Sequence, residues 1–562
     1  MSPRATHLAL ISLALMALGV GACLAAAVLT RTEMVPMRDG IRLATDLYLP
    51  PGTTARPTVL TRTPYGRADR ADQADLYVPH GIAFVAQDTR GRGGSEGEDE
   101  TFWSDGWGAL QDGYDTIQWI ASQEWSNGRV MCQGSSGDGF TGILAAGAAP
   151  PAMAGAIVDT CPCDLYHDSV YTGGAFRRSL VLGWLALQDA ESRLPDLVAH
   201  PTPTSWWDPV RIPMAIPSVD VPVCFISGWF DLYVDAALRT AVQLDALGGG
   251  GARGRQLVII GPWQHTAIGS RDVGELTFPE NAVWTGEIND LTLDFTAEAL
   301  LGTPTGIFDQ PMFTYYMMGD VDDPTAPGNE WRTSDVWPPQ GEVVTLHLCP
   351  GGLLSAEMAF DPVSTETSFV CDPANPVPTL GGRNLWLTRG PYDQSALEQG
   401  SDVVTFSTPP LSAPFEIAGM VTCRLFVSST APDADLLVKL CDVYPDGRSM
   451  LMCEGALRMR RRNGWDQEDM MITGEICEVE IPVGQIALAL NTGHRLRITI
   501  ASTNSPRFEV NPQTGAPLLL DDPVTQIATH TIHHSDLCPS LITLPSSSEL
   551  MVPAEMVGFF QR

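Results

Sequence analysis

The sequence predicts an α/β protein, with a largely parallel sheet covered by helices, a helical insertion within that sheet's connectivity, and an all-β domain towards the C-terminus. Three observations lead there. Continuous apolar runs alternate with stretches of helical period up to about Trp337, the pattern of strands buried on both faces. That rhythm stops between about Cys161 and Asp220, where the period is helical. Beyond Trp337, short β-rich runs are separated by Pro, Gly, Asp and Asn, as in a sandwich or jelly roll. At 562 residues the chain is too long for one core, so two or three domains are expected.

The N-terminal segment, 1–30, reads as a targeting element. Arg4 precedes an uncharged apolar run from Leu8 to Leu29, long enough to span a bilayer. The run also fits a secretory signal peptide with Ala25-Ala26-Ala27 as its cleavage site, or a lipoprotein signal in which Val20-Gly21-Ala22-Cys23 places the lipid on Cys23. Export to the periplasm or cell exterior with cleavage is the expectation, membrane contact being confined to this segment if it is retained or lipidated. A true start near Met34 would instead make the protein cytoplasmic.

The first part of the sheet domain is expected over 31–160. "MVPMRDGIRLATDLYLP" predicts a hairpin turning at Asp39-Gly40. "PTVLTRTPYG" and "GIAFVAQDTRG" are strands running into loops. "DGWGALQDGYDTIQWIASQEW" places Leu110, Tyr114, Ile117 and Ile120 at helical spacing. "GRVMCQGSS" is a short strand followed by the small-residue helix of "GFTGILAAGAAP". A helical cap is expected over 161–220, including the helical period of "AFRRSLVLGWLALQDAESRLPDLVAH". The second part of the sheet domain, 221–336, contains the buried strands of "VPVCFISGWFD" and "RQLVIIGPWQH". The jelly-roll domain is expected over 337–562, from runs such as "EVVTLHLCP", "MVTCRLFVSS" and "HRLRITIAST".

Composition narrows the function classes. The chain is 44% hydrophobic and 18% charged, a globular balance. A formal net charge of −33 repels phosphate backbones, so nucleic acid is not an expected partner. The 12 cysteines are spread thinly and make no zinc pattern; Cys132, Cys224 and Cys441 sit in apolar runs as buried thiols.

Serine is a poor nucleophile until a base takes its proton and a third group orients the base. Two glycine-flanked serines are candidates. Ser95, in Gly93-Gly94-Ser95-Glu96-Gly97, is a literal G-x-S-x-G but precedes an acidic, turn-rich stretch without a helix. Ser136, in Gly134-Ser135-Ser136-Gly137-Asp138-Gly139, follows a strand over Val130 to Gln133 and opens a helix over Phe140 to Ala149. That strand–turn–helix context is the nucleophile elbow of an α/β hydrolase, and Ser136 is the preferred nucleophile, with Ser135 as the adjacent alternative. Asp231 ends one buried strand and His265 follows another, in the order Ser, acid, base, at the strand ends where open α/β sheets build their sites. The backbone N–H of Gly137 is one oxyanion donor, and Tyr65, in the loop after "TVLTRT", is a second candidate through its phenol. His530, His533 and His534 lie close in sequence, but no Cys or carboxylate spacing supports a metal. The acidic loop over Asp320 to Asp323 reads as exposed.

These residues resemble the cocaine esterase and X-Pro dipeptidyl-peptidase-like serine hydrolases from about Met34 onward. "VPMRDGIRLATDLYLP", "RTPYG", "QDTRGRGGSEG", "SNGRVMCQGSSGDG", "SGWFDLYVDAALR" and "GPWQHT" follow in family order, and "APDADLLVKLCDVYPDGRS", "GHRLRITIASTNSPRFEVNP" and "DVVTFSTPPL" are similar to the family's jelly-roll segments. The resemblance implies an α/β-hydrolase sheet domain with an inserted helical cap and a C-terminal all-β jelly-roll domain. It implies Ser136 as nucleophile, Asp231 as acid, His265 as base, and Tyr65 with the Gly137 amide as oxyanion donors, with no metal or organic cofactor. One departure is Gly137 itself, where family members usually carry an aromatic residue.

The expected reaction is hydrolysis of a small-molecule carboxylic ester through an acyl-enzyme. The expected pocket is apolar, from Trp229, Phe230, Trp263 and the Trp/Leu-rich cap. The resemblance also bears on the amino group: the related α-amino-acid ester hydrolases place extra carboxylates just after the triad acid, whereas here Asp231 is followed by Leu232-Tyr233-Val234 and Asp168 is only a weak candidate, so the resemblance implies neither α-amino recognition nor dipeptidyl-peptidase activity. Rival readings are an amide-cleaving acylase or proline-directed peptidase, and an exported non-catalytic binding protein on the same fold. A homodimer is one possible assembly.

Overall fold

A computed structural model describes residues 27–358, 365–517 and 524–552. The apolar run up to residue 26, Cys23 included, lies outside the described residues. No helix among the described residues is long and apolar enough to cross a membrane.

Ten strands form the first sheet: β1 (Arg31–Pro36), β2 (Arg42–Tyr48), β3 (Arg56–Thr63), β4 (Ala83–Asp88), β5 (Ser126–Ser135), β6 (Met153–Asp159), β7 (Val223–Phe230), β8 (Leu257–Gln264), β9 (Phe313–Met317) and β10 (Glu330–Ser334). Their order is β1-β2-β4-β3-β5-β6-β7-β8-β9-β10. From β4 to β9 the neighbours run parallel, while β1, β2 and β10 are antiparallel additions at the two edges. Alternate side chains of a strand point to opposite faces, so a strand covered on both sides is apolar throughout. In β7 every residue is buried. The β1–β2 hairpin turns at Asp39-Gly40 as expected, with Gly40 at φ 87°.

Helix α1 (Asp112–Ala121) begins two residues beyond Leu110 and buries Gly113, Thr116, Ile117 and Ile120. Leu110 therefore does not belong to the helical stripe. The first helical residue is Asp112, a buried acid that receives two hydrogen bonds from Arg90, at 2.9 and 2.7 Å. Helix α2 (Gly137–Gly147) is buried along its whole length, starting three residues earlier than the sequence pattern suggests.

Between β6 and β7 the chain leaves the sheet. The helical period there is not one helix. It resolves into α3 (Arg178–Leu187) and the short α4 (Leu194–Ala199), separated by Asp189 at φ 50°. Pro195 stands in the first turn of α4, where proline is tolerated.

Among the described residues the C-terminal part is an all-β unit of eleven strands, antiparallel apart from the pairing of Leu353 with Ser407. Its longest ladder joins Phe415–Ser429 to Cys477–Leu490. It is bound to the first sheet directly: Met318, just after β9, gives its N–H to Ala487 at 3.1 Å and takes that of Ala489 at 2.8 Å. Arg383 adds a second joint, reaching the Trp229 carbonyl (3.0 Å), the Asp235 carboxylate (3.0 Å) and the Gln485 carbonyl (2.6 Å). Cys132, Cys224 and Cys441 are buried and form no disulfide.

Candidate active site

The turn from β5 into α2 places Ser136 at φ 56° and ψ −121°, outside the conformations an L-residue ordinarily adopts. Two glycines make the turn possible. A Cβ at Gly134 would collide with the Asp138 backbone, and one at Gly139 would lie 2.8 Å from the Gly134 oxygen. Larger residues would force the strand and helix apart and carry Ser136 with them.

Asp231 follows β7 and is fully buried; Ser227 donates to one of its carboxylate oxygens at 2.6 Å. His265 follows β8, the neighbouring parallel strand. Its Nδ1 lies 2.7 Å from the other Asp231 oxygen and its Nε2 lies 3.2 Å from Ser136 Oγ. A carboxylate only accepts, so Nδ1 carries a proton and, in the neutral ring, Nε2 is free to accept one from the serine. The Tyr233 ring meets the imidazole edge-on at 5.6 Å.

Tyr65, in the loop after β3, brings its phenol to the same point. Its Oη accepts the Gly137 N–H at 3.3 Å and the Trp184 indole N–H at 3.2 Å. Burial, and then the nearby charge of Asp138, push its pKa above the ordinary phenol value, so it stays a protonated donor at neutral pH. Asp138 is in turn held by Arg70 at 2.6 Å.

Ser136 opens on a pocket of about 600 Å³, part of it open to solvent. Its walls are Phe102 and the cap residues Leu180, Val181, Trp184 and Leu185, with Tyr233 beside His265; none of its lining residues is charged. The expected cap contribution is present, but the other expected pocket residues lie elsewhere. Trp229 is fully buried, gives its indole N–H to the Tyr316 carbonyl at 2.6 Å and stacks on Trp337. Phe230 is buried in the sheet core. Trp263 bonds the Ala282 carbonyl at 2.7 Å and packs against Trp284 and Trp331. Each sits on β7 or β8, strands covered on both faces, so its bulk fills the core rather than the site. Asp168 is also taken: it accepts the N–H groups of Cys163 and Asp164 and pairs with Arg239 at 2.8 Å.

The alternative serines have other partners. Ser95 Oγ bonds the Asp88 carbonyl (2.8 Å) and receives the Ala44 N–H (2.9 Å). Ser135 Oγ meets Thr160 Oγ1 at 3.1 Å. His530, His533 and His534 bond Gln513, Ser428 and Thr367 respectively, and burial pushes His530 down to about 4. Among the described residues no cluster of three or more His, Cys, Asp or Glu is arranged to hold a metal.

Sequence reasoning did not single out Phe102 and Trp184. Phe102, at φ 77°, stands in a strained loop that its sequence does not announce; its ring lies 5.5 Å from that of Trp184. Trp184 could have been marked as the one polar-tipped aromatic in "VLGWLAL".

A mixed sheet with helices on its faces and a serine at its central strand-to-helix elbow defines an α/β-hydrolase-type enzyme. Residues 39–197 match the X-Pro dipeptidyl-peptidase (S15) family, and residues 305–543 match the X-Pro dipeptidyl-peptidase C-terminal non-catalytic domain. The chain is 30% identical to the cocaine esterase of Rhodococcus sp. (strain MB1 Bresler), over 91% of this chain and 97% of that protein. In structure it is similar to an aminopeptidase from the marine sediment archaeon Thaumarchaeota archaeon (TM-score 0.80, 25% identity, 94% of this chain and 98% of that one). It is similarly close to an α-amino acid ester hydrolase (TM-score 0.79, 25% identity, the same coverage). The chain belongs to the cocaine esterase and X-Pro dipeptidyl-peptidase-like family of serine ester hydrolases.

Proposed function

We propose that this enzyme hydrolyses uncharged carboxylic esters through an acyl-enzyme on Ser136. The observation that carries the reading is the continuous chain Asp231–His265–Ser136, with links of 2.7 and 3.2 Å, opening on a cavity without charged walls. His265 Nε2 takes the Ser136 proton as Oγ attacks the ester carbonyl. The resulting oxyanion is met by the Tyr65 O–H and the Gly137 N–H. His265 then gives its proton to the leaving alkoxide, and the C–O bond breaks. Water, deprotonated by the same imidazole, attacks the acyl-enzyme and releases the acid, restoring Ser136.

The choice of an uncharged acyl group follows from the walls. A substrate ammonium buried there would find no carboxylate, and an unpaired buried charge is strongly unfavourable. Asp168 is neutralised by Arg239 and does not line the cavity. Export directed by the N-terminal segment is part of the proposal and is tested by sequencing the N-terminus of protein recovered from the culture medium and cell fractions.

Fluorophosphonate labelling with peptide mass spectrometry tests the nucleophile. The expected adduct is on Ser136 and absent in Ser136→Ala; an adduct on Ser95 or Ser135, or none, overturns the assignment. Matched esters and amides of one aromatic acid, with and without an α-amino group, test the substrate. Faster turnover of the α-ammonium member, or of the amide, would contradict an uncharged ester as the substrate class.

A further inference from the structure

We infer that Trp184 is a positioning residue for the oxyanion donor: its indole N–H, carried by the cap helix α3, holds the Tyr65 phenol so that the phenol's one proton is left for the oxyanion. The inference rests on the reading of Tyr65 as an oxyanion donor.

A phenol oxygen has one proton to give and two lone pairs to fill. Here both incoming positions are taken by groups that can only donate, the Gly137 amide at 3.3 Å and the Trp184 indole at 3.2 Å. What remains is the O–H, and Tyr65 lines the same cavity as Ser136. An indole nitrogen never accepts, so the direction of the Trp184 bond cannot reverse. Donation into the phenol oxygen also polarises the O–H and makes it a stronger donor. When the Gly137 amide turns its hydrogen bond to the oxyanion, Trp184 is what still holds the tyrosine.

Gly137 gives this arrangement its room. A Cβ there would stand 2.6 Å from Tyr65 Oη, closer than real Cβ atoms come, and would displace the phenol from between its two donors. The residue that follows the nucleophile and the indole of the cap therefore act on one oxygen.

The cap helix that carries Trp184 is held from both sides. Arg92, from the loop after β4, bonds the carbonyl and side chain of Gln188 at the helix's C-terminal end, and Arg178 pairs with Glu509 of the all-β unit. Gly183 packs against the Trp386 ring so closely that a Cβ would collide with it. The helix that sets the Trp184 indole is thus fixed to both the sheet domain and the all-β unit.

The test is a double-mutant cycle on an activated aryl ester, using Trp184→Phe, Tyr65→Phe and the pair, with Ser136→Ala as the blank. Trp184→Phe keeps an aromatic wall and removes the N–H. The expected result is a kcat about ten-fold lower with KM little changed, the size of one lost hydrogen bond, and no further loss when Tyr65 is already Phe. Equal losses with and without the Tyr65 hydroxyl, or wild-type kcat in Trp184→Phe, would overturn the inference. If instead Ser136→Ala or Tyr65→Phe keeps full activity, the underlying reading fails, which is a separate outcome. Should the Phe variant not fold, replacing Trp184 by 3-benzothienylalanine keeps the bicyclic shape, lacks the N–H, and is held to the same two criteria.

Discussion

Ser136, at φ 56°, holds a backbone conformation that costs of order 1–3 kcal/mol and survives because Gly134 and Gly139 let the strand and helix close around it. Asp231 is fully buried and gives its two oxygens to Ser227 and His265. Asp231→Asn keeps the shape but offers an N–H where the imidazole needs an acceptor. A fall in kcat of about 10⁴-fold is expected with the fold intact, read by steady-state kinetics beside circular dichroism. Tyr65→Phe removes one of the two proposed oxyanion donors, and a loss of about 10²–10³ in kcat is expected, with ground-state binding little affected. Ser136, Asp231 and His265 were legible from local context, as a glycine-framed serine after one strand and an acid and a histidine after two others, whereas Tyr65 gained its weight from the family resemblance. The pocket residues were not legible, because Trp229 and Trp263 are indistinguishable by type from Trp184. Only their strand or cap setting tells a core indole from one that faces the site.

Among the helices, α2 presents Gly137 as its first residue, and the substitution Gly137→Ala separates activity from stability. Alanine favours a helix by roughly 0.5–1 kcal/mol over glycine, while its Cβ would press on the end of the Tyr65 side chain. The expected outcome is a clearly reduced kcat with a urea midpoint lowered by no more than the loss of the two hydrogen bonds to Tyr65. In α1 the buried face is Thr116, Ile117 and Ile120. Ile120→Ala is expected to cost about 2–5 kcal/mol by denaturant unfolding, with the surviving folded enzyme at normal kcat. The helical period showed this element but placed its start at Leu110. The buried Arg90–Asp112 pair at the boundary spans 22 residues, and no local pattern carries such a pairing.

Across the molecule, the two sheets are joined by buried polar contacts as well as by apolar packing. Arg383 bridges the Trp229 carbonyl, Asp235 and Gln485. Replacing it with Met removes all three bonds and leaves Asp235, among the described residues, only the Gln485 N–H at 2.9 Å, and a loss of about 3 kcal/mol in unfolding free energy is expected by calorimetry or urea titration. A second joint is His494, whose Nδ1 meets Asp442 at 2.8 Å and whose Nε2 meets Asp320, beyond β9, at 3.2 Å. Burial opposes charge on this imidazole, but the hydrogen bonds and charges of Asp442 and Asp320 outweigh it and raise its pKa above the ordinary 6.5. A histidine raised on folding contributes stability that is complete below the unfolded pKa and is lost as pH rises through the folded one. Stability should therefore decline above about pH 6.5, and His494→Gln should flatten that decline in thermal unfolding measured from pH 6 to 9. The acidic loop over Asp320 to Asp323 is part of the same joint. Along the chain it is a run of charges; in the fold Asp320 and Asp323 receive Asn491, and Asp322 pairs with Arg448.

The class of fold, the strand-to-helix elbow and the order of serine, acid and histidine are all written in the linear chain. They follow from side-chain period and from glycines at a tight turn, both properties of a few consecutive residues. Folding in three dimensions settled which aromatics wall the cavity, that Asp168 is spent on Arg239, and that Trp184 and Gly137 converge on one phenol oxygen. Those depend on contacts between segments as far as 119 residues apart, where packing and the need to satisfy buried polar groups, rather than local propensity, select the partner.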